Sequence, residues 1–266
     1  MSTIAEKFKT IFWFVQRPDH WSHMAGLVLR KFRKNHDSAA LRAAATAWAN
    51  EQAEDADIVL ESVGLELNDE SRFELPKALV TEAKERVSRC PLSMGGPGDL
   101  DLIAQAVVRI GAARVIETGV AYGWSSLAIL AALEHNKGGR LVSVDMPYPK
   151  MDNEPWVGVA VPDRLRSLWK IIRKPDRNGL KEAIAEFDGQ IDLCHYDSDK
   201  SWWGRRYAYP LLWRALRPGG ILISDDIQDN FAFKNFVEKV KPRFGVTECE
   251  GKYVGIVVKP LAFGNA

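Results

Sequence analysis

From Arg114 to Val258 short β-branched runs alternate with helical stretches, and this alternation constrains the fold more than any other feature of the chain. The strand-like runs are Arg114–Thr118, Arg140–Asp145, Trp169–Arg173, Ile191–Tyr196 and Gly220–Ser224. Helical apolar spacing occupies Ser125–His135, Leu180–Phe187, Arg205–Leu216 and Phe231–Phe244. Strands separated by helices return in parallel, so the segment predicts a mostly parallel, doubly wound α/β sheet with helices on both faces. Gly245–Cys249 and Tyr253–Val258, joined by Glu250-Gly251-Lys252, read as a closing hairpin that adds one antiparallel strand, seven strands in all.

The first ~90 residues have no strand alternation and read as helices. Trp21, Met24, Val28 and Phe32 share one helical face, Asp37-Ser38 is placed to cap a helix from Ala39 to about Leu60, and a third periodic run spans Pro76 to about Cys90. Pro91 and Met94-Gly95-Gly96-Pro97-Gly98 mark a break. A 266-residue chain suits one core plus an appendage. The expected division is a helical extension over 1–90, serving as a cap or an oligomerisation element, and a second domain over 91–266.

With 36 Lys and Arg against 35 Asp and Glu, the net charge of +1 argues against a dedicated nucleic-acid binder. Cys90, Cys194 and Cys249 lie far apart, which fits neither a disulfide framework nor a zinc site and points to a reducing compartment. Near the N-terminus the run Ile11-Phe12-Trp13-Phe14-Val15 is too short for a signal segment. Leu127–Leu133 is the longest apolar run, and a membrane-spanning helix needs about 20 residues. A cytoplasmic protein with no transmembrane segment is expected.

The most informative stretch runs from Val115 to Ser126. A strand ends in Glu117, Gly119 and Gly123 follow, and a helix opens near Ser125. Ligands of open α/β sheets bind beyond the carboxyl ends of strands. Gly119 permits a tight turn and Gly123 a close approach of ligand to main chain. The helix start offers unpaired N–H groups to a carboxylate or phosphate. Asp145 ends the next strand, where an acid accepts hydrogen bonds from ribose hydroxyls. The glycine spacing departs from the G-x-G-x-x-G of dinucleotide enzymes.

The pattern E-x-G-x-x-x-G-x-S, carried by Glu117-Thr118-Gly119-Val120-Ala121-Tyr122-Gly123-Trp124-Ser125, resembles the first motif of class I S-adenosylmethionine-dependent methyltransferases, which are Rossmann-like. It is similar to the catechol O-methyltransferase-like branch and its bacterial sugar O-methyltransferase relatives. The closing hairpin resembles their reversed seventh strand. The resemblance covers about Cys90 to Pro260 and implies that Ser125 holds the methionine carboxylate, Gly119 lies against the cofactor and Asp145 binds the ribose. Pro175-Asp176-Arg177 stands where that family often has Gly-Asp-Ser, which gives Asp176 the adenine amino group.

Two further strand ends are acidic. The fourth runs into Asp197-Ser198-Asp199-Lys200 and the fifth into Asp225-Asp226. Carboxylates brought together repel unless a cation binds or some protonate, and oxygen-only ligands suit Mg²⁺ or another divalent cation. By the resemblance, Asp197, Asp225 and Asp226 are the metal ligands and Lys200 the general base. Asp199 and Asp229 read as exposed or capping residues, and His195 as a core histidine. The connection Met146–Pro162 has the length of a lid. Trp156, Trp202 and Trp203 are expected on the acceptor side. The resemblance therefore implies a metal-dependent O-methyltransferase acting on a sugar or other small hydroxylated acceptor, in polysaccharide or glycosylated natural-product synthesis, with a homo-oligomer as a further expectation. The rivals are a metal-independent methyltransferase, a nucleotide-dependent oxidoreductase and a non-catalytic cofactor-binding protein.

Overall fold

The structure is a computed structural model that describes residues 4–66, 72–149 and 151–261. Lys150 of the Met146–Pro162 connection, and the outermost residues of both expected domains, lie outside the described residues. Seven strands form one sheet: β1 (Arg114–Thr118), β2 (Arg140–Val144), β3 (Trp169–Ile172), β4 (Ile191–Tyr196), β5 (Leu216–Ser224), β6 (Arg243–Cys249) and β7 (Lys252–Val258). Their order is β3-β2-β1-β4-β5-β7-β6. Strands β1 to β5 pair in parallel, and β7 runs antiparallel between β5 and β6. This is the doubly wound sheet with a reversed last strand that the sequence predicts.

The helices are α1 (Ile4–Val15), α2 (Trp21–Arg30), α3 (Ala39–Gln52), α4 (Ala56–Ser62), α5 (Lys77–Ser88), α6 (Leu100–Arg109), α7 (Trp124–His135), α8 (Asp163–Arg166), α9 (Asp176–Ala185), α10 (Trp202–Ala215) and α11 (Ala232–Val240). One core packs Leu102 and Ile103 of α6 and Leu127 and Leu130 of α7 against Val115, Leu193 and Ile223 of the sheet. The opposite core packs Leu180 of α9, Leu212 of α10 and Phe236 of α11 against Ile116, Cys194 and Leu222. Successive strand residues thus serve opposite cores, as the period of two requires. With both faces covered, the central strands are buried on both sides.

Several expected elements end differently. The helix from Ala39 is capped by Ser38, whose Oγ accepts from the Leu41 N–H, but it stops at Gln52. There the Glu54 N–H donates to Val246 O at 2.9 Å, and Asp55 caps α4 afresh. The expected helix Phe231–Phe244 stops at Val240: Lys241 takes φ 52°, Pro242 follows, and Phe244 joins β6. Strand β5 begins at Leu216, ahead of the expected Gly220, and Gly219 and Gly220 pair with Lys259. Helix α2 ends at Arg30, so Phe32 lies beyond the helical face on which spacing placed it. Among the described residues no helix is long and apolar enough to cross a membrane.

Candidate active site

The chain runs outward from β1 through β2 to β3 and then crosses back to β4. Loops after β1 and β4 part at this switch point, and a cleft of about 340 Å³ opens beyond the strand ends. Gly119, Ser125, Asp145, Asp176, Asp197, Lys200 and Asp225 all line it. Glu117, Gly123 and Asp226 are not on its lining.

Glu117 lies behind the wall and is fully buried. Its carboxylate accepts from the hydroxyls of Ser125, Ser126 and Ser143, each at 2.6 Å. Burial pushes its pKa up. Glu117 therefore ties the end of β1 to the start of α7 and to β2. Ser125 spends its hydroxyl on Glu117, so it offers the cleft the N-terminal turn of α7, where N–H groups have no partner within the helix. Gly123 has φ 87°, and a Cβ there would lie 2.9 Å from Gly158 Cα. The close approach at Gly123 is thus made by the Met146–Pro162 connection, not by the cleft.

Asp145 turns one oxygen to the Val120 N–H at 3.0 Å and the other to Arg173, which also holds Glu154. Asp176 opens α9 and accepts from Ser198 Oγ at 2.6 Å and Tyr196 OH at 3.3 Å. Burial raises the Asp176 carboxyl to about 6.

In the acidic cluster, Lys200 Nζ lies 3.1 Å from Asp197 Oδ1 and also contacts Asp226 Oδ2. Burial works against the lysine's charge, but Asp197 and Asp226 hold its ammonium above the ordinary lysine range. Burial works against Asp226 as well, yet Lys200 keeps it below the usual carboxylate range. Burial, then the Asp225 carboxylate, raises Asp197 to about 6. Asp197 Oδ1 is buried, and the Lys200 ammonium is the charge that faces it. Three neighbouring carboxylates offer oxygen ligands, which suit a hard divalent cation by donor chemistry. Their present arrangement suits an ammonium: among the described residues no three His, Cys, Asp or Glu side chains are placed to hold a metal ion.

Some residues of the site were not evident from the sequence. His195 is a buried strand residue, as expected, but its Nε2 lies 3.1 Å from Asp225 Oδ1. Burial opposes its charge, and Asp225 with Glu117 and Asp197 behind it overcomes this and raises His195 to about 9. Arg205 is fully buried and donates to Asp225 O at 3.0 Å and Asp226 O at 2.8 Å. It braces the left-handed turn at Asp226, φ 51°. Its register with Trp202, Ala208 and Leu212 on the buried face of α10 was the available signal. Gly98, in a segment read only as a break, also lines the cleft, and a Cβ there would meet Asp225 Oδ2 at 2.7 Å.

Two expectations are corrected. Trp156, Trp202 and Trp203 do not line the cleft. Trp202 stacks on His36 with centroids 4.0 Å apart, and Arg33 lies over Trp203. These rings anchor the segment after α2. Asp199 is not a free surface acid: it pairs with Arg30 and accepts from Ser201. Helix α2 reaches over the site, and its His23, Leu27 and Arg30 line the cleft.

Residues 116–227 match a protein-family profile described as "Methyltransferase domain". The chain matches no curated protein. Among solved structures it is similar to cofactor-bound Rv0187 from MTB, at 14% identity and a TM-score of 0.55, over 70% of this chain and 91% of that one. It is similar to the O-methyltransferase from Bacillus cereus in complex with SAH, at 17% identity and a TM-score of 0.51, over 79% and 100% of the two chains. A methyltransferase from Geobacter sulfurreducens gives 15% identity and 0.51, over 71% and 91%. These likenesses speak to the fold. The family match lies across the glycine turn, the cleft and both acidic strand ends, on a sheet with the class I methyltransferase strand order, so this part of the chain is similar to a methyltransferase domain.

Proposed function

We propose that the chain transfers the methyl group of S-adenosylmethionine to a hydroxyl oxygen of a sugar or another small hydroxylated molecule, aided by a divalent cation, Mg²⁺ by its ligand chemistry. The supporting observation is that Lys200, Asp197 and Asp225 share one cleft with Gly119, Ser125, Asp145 and Asp176. In this reading the start of α7 at Ser125 receives the methionine carboxylate, Asp145 the ribose and Asp176 the adenine amino group. Glu117 and Gly123 act from behind, by holding the turn in shape. Helix α2 caps the acceptor side.

Asp197, Asp225 and Asp226 would hold the cation. A cation held there would supply positive charge that favours the ionised acceptor oxygen and would offset the negative charge of these carboxylates. Lys200, once deprotonated, serves as the base toward the acceptor hydroxyl. It takes the hydroxyl proton, the oxygen attacks the methyl carbon in line, the carbon–sulfur bond breaks, and the thioether departs. His195 and Arg205 fix the Asp225-Asp226 turn. Positioning and electrostatics supply most of the rate.

One observation favours a second reading. The Lys200 ammonium already lies between Asp197 and Asp226, so it is able to act as a fixed cation in a metal-independent enzyme. An assay of labelled-methyl transfer to catechol and sugar hydroxyls, with EDTA and after Mg²⁺ is restored, separates the two. The cation reading expects EDTA to lower the rate by about 10²-fold or more, with recovery on Mg²⁺. Full activity in EDTA would establish the second reading. Absence of transfer to any hydroxyl in both conditions would reject both.

A further inference from the structure

Helices α1 and α2, joined by a 3₁₀ turn at Pro18–His20, carry an apolar surface that the methyl-transfer site does not use. Nine of the twelve large apolar side chains exposed on the described surface lie between Phe8 and Phe32, and all of these but Leu27 lie outside the cleft, so this apolar exposure is local, not scattered. Phe12 is 63% exposed and Phe32 83%. The orientation is fixed from the inner side. Ser22 Oγ donates to Asn178 Oδ1 at 2.7 Å, Arg30 pairs with Asp199, and His23 and Leu27 face the cleft. Trp21, Val28 and Leu29 are left at the surface.

Charge follows the same boundary. Residues 1–37 hold seven Lys and Arg against three Asp and Glu, a net +4, while residues 38–266 hold 29 against 32, a net −3. Lys31, Arg33 and Lys34 are exposed directly beyond α2. Aromatic and aliphatic side chains beside lysines and arginines on short amphipathic helices match the boundary of an anionic bilayer. A second copy of the chain fits less well, because a two-fold contact sets the same surface against itself and brings the exposed Lys31 and Lys34 against their own like charge.

We propose that α1 and α2 dock the protein on an anionic lipid surface, apolar side chains inserted and Lys31 and Lys34 among the headgroups. The mouth of the cleft, walled by the inner edge of α2, then stands at the bilayer. The docking rests on surface and charge alone and is independent of the acceptor and the metal.

The test is co-sedimentation of the full chain with phosphatidylcholine vesicles, with and without phosphatidylglycerol. Binding is expected only with phosphatidylglycerol and is expected to weaken in high salt. Lys31→Glu/Lys34→Glu should weaken partition roughly thirty-fold or more. Phe12→Glu/Phe32→Glu should also release the protein, while circular dichroism and S-adenosylhomocysteine affinity stay as in the parent chain. Failure of the parent chain to bind anionic vesicles, or equal binding by the lysine variant, would overturn the proposal. So would a dimer in light scattering that the phenylalanine variant dissolves, since a second copy would then cover the face.

Discussion

Replacing Lys200 with Met should lower the rate of methyl transfer by about 10²–10⁴-fold and leave S-adenosylhomocysteine affinity almost unchanged. Lys200 lines the cleft at the end of β4, while the expected adenine and ribose partners stand after β3 and β2. Removing it leaves Asp197 and Asp226 without their ammonium, so the variant should also bind divalent cations more readily. Lys200→Arg distinguishes its two possible roles. Arginine keeps the charge but cannot serve as base near neutral pH. If Lys200 is the base, Arg fares no better than Met. If it is a fixed cation, Arg restores much of the lost rate. Single-turnover measurements with saturating cofactor check both variants, and a Met variant with parental rate would remove Lys200 from the chemistry.

A substitution at Gly119 should damage the fold and the site together. Gly119 has φ 79°, and a Cβ there would fall 2.2 Å from the main-chain oxygen of Asp197. That oxygen belongs to the strand end carrying Asp197 and Lys200, so alanine pushes the cofactor turn away from the acidic cluster. The left-handed conformation costs a side chain about 1–2 kcal/mol and overpacking about 1–3 kcal/mol. A loss of ~3 kcal/mol lowers the melting temperature by about 6–12 °C. Gly119→Ala should melt in that range below the parent and bind S-adenosylhomocysteine at least about tenfold more weakly. A parental melt would mean that the turn can relax around the added carbon.

The sheet was legible because its central strands are buried on both sides and strands β1 to β5 are separated by periodic helices. The site was legible where position along a strand decides function: Asp145, Asp176, Asp197 and Asp225 all follow strand ends and reach one cleft. Contacts distant in sequence were not legible. Nothing in Ala53-Glu54 signals a helix break, since the break comes from pairing with Val246 of β6. Trp202 and Trp203 suited a sugar pocket by composition, but His36 and Arg33 take their faces. The placement of α2 over the cleft depends on Ser22 with Asn178 and Arg30 with Asp199, pairs more than 150 residues apart.

Asp176 adds a pH signature. Its carboxyl titrates at about 6 in the folded chain against 3.8 ordinarily, because of burial. The folded state holds this proton more tightly than the unfolded state. Its contribution to stability is therefore full below 3.8 and is lost as pH rises through 6. Cofactor affinity should move the other way, since in the proposed binding mode an adenine amino group donates to the ionised carboxylate. Below its folded pKa, each pH unit should weaken cofactor binding by about tenfold, and Asp176→Asn should remove that dependence.

The most direct test of the account is a calorimetric titration of the full chain with S-adenosylhomocysteine near neutral pH, with and without Mg²⁺. Residues proposed for cofactor and cation are separate, so the account expects one molecule bound per chain in both conditions, with closely similar affinity. Absence of binding in both conditions would contradict it.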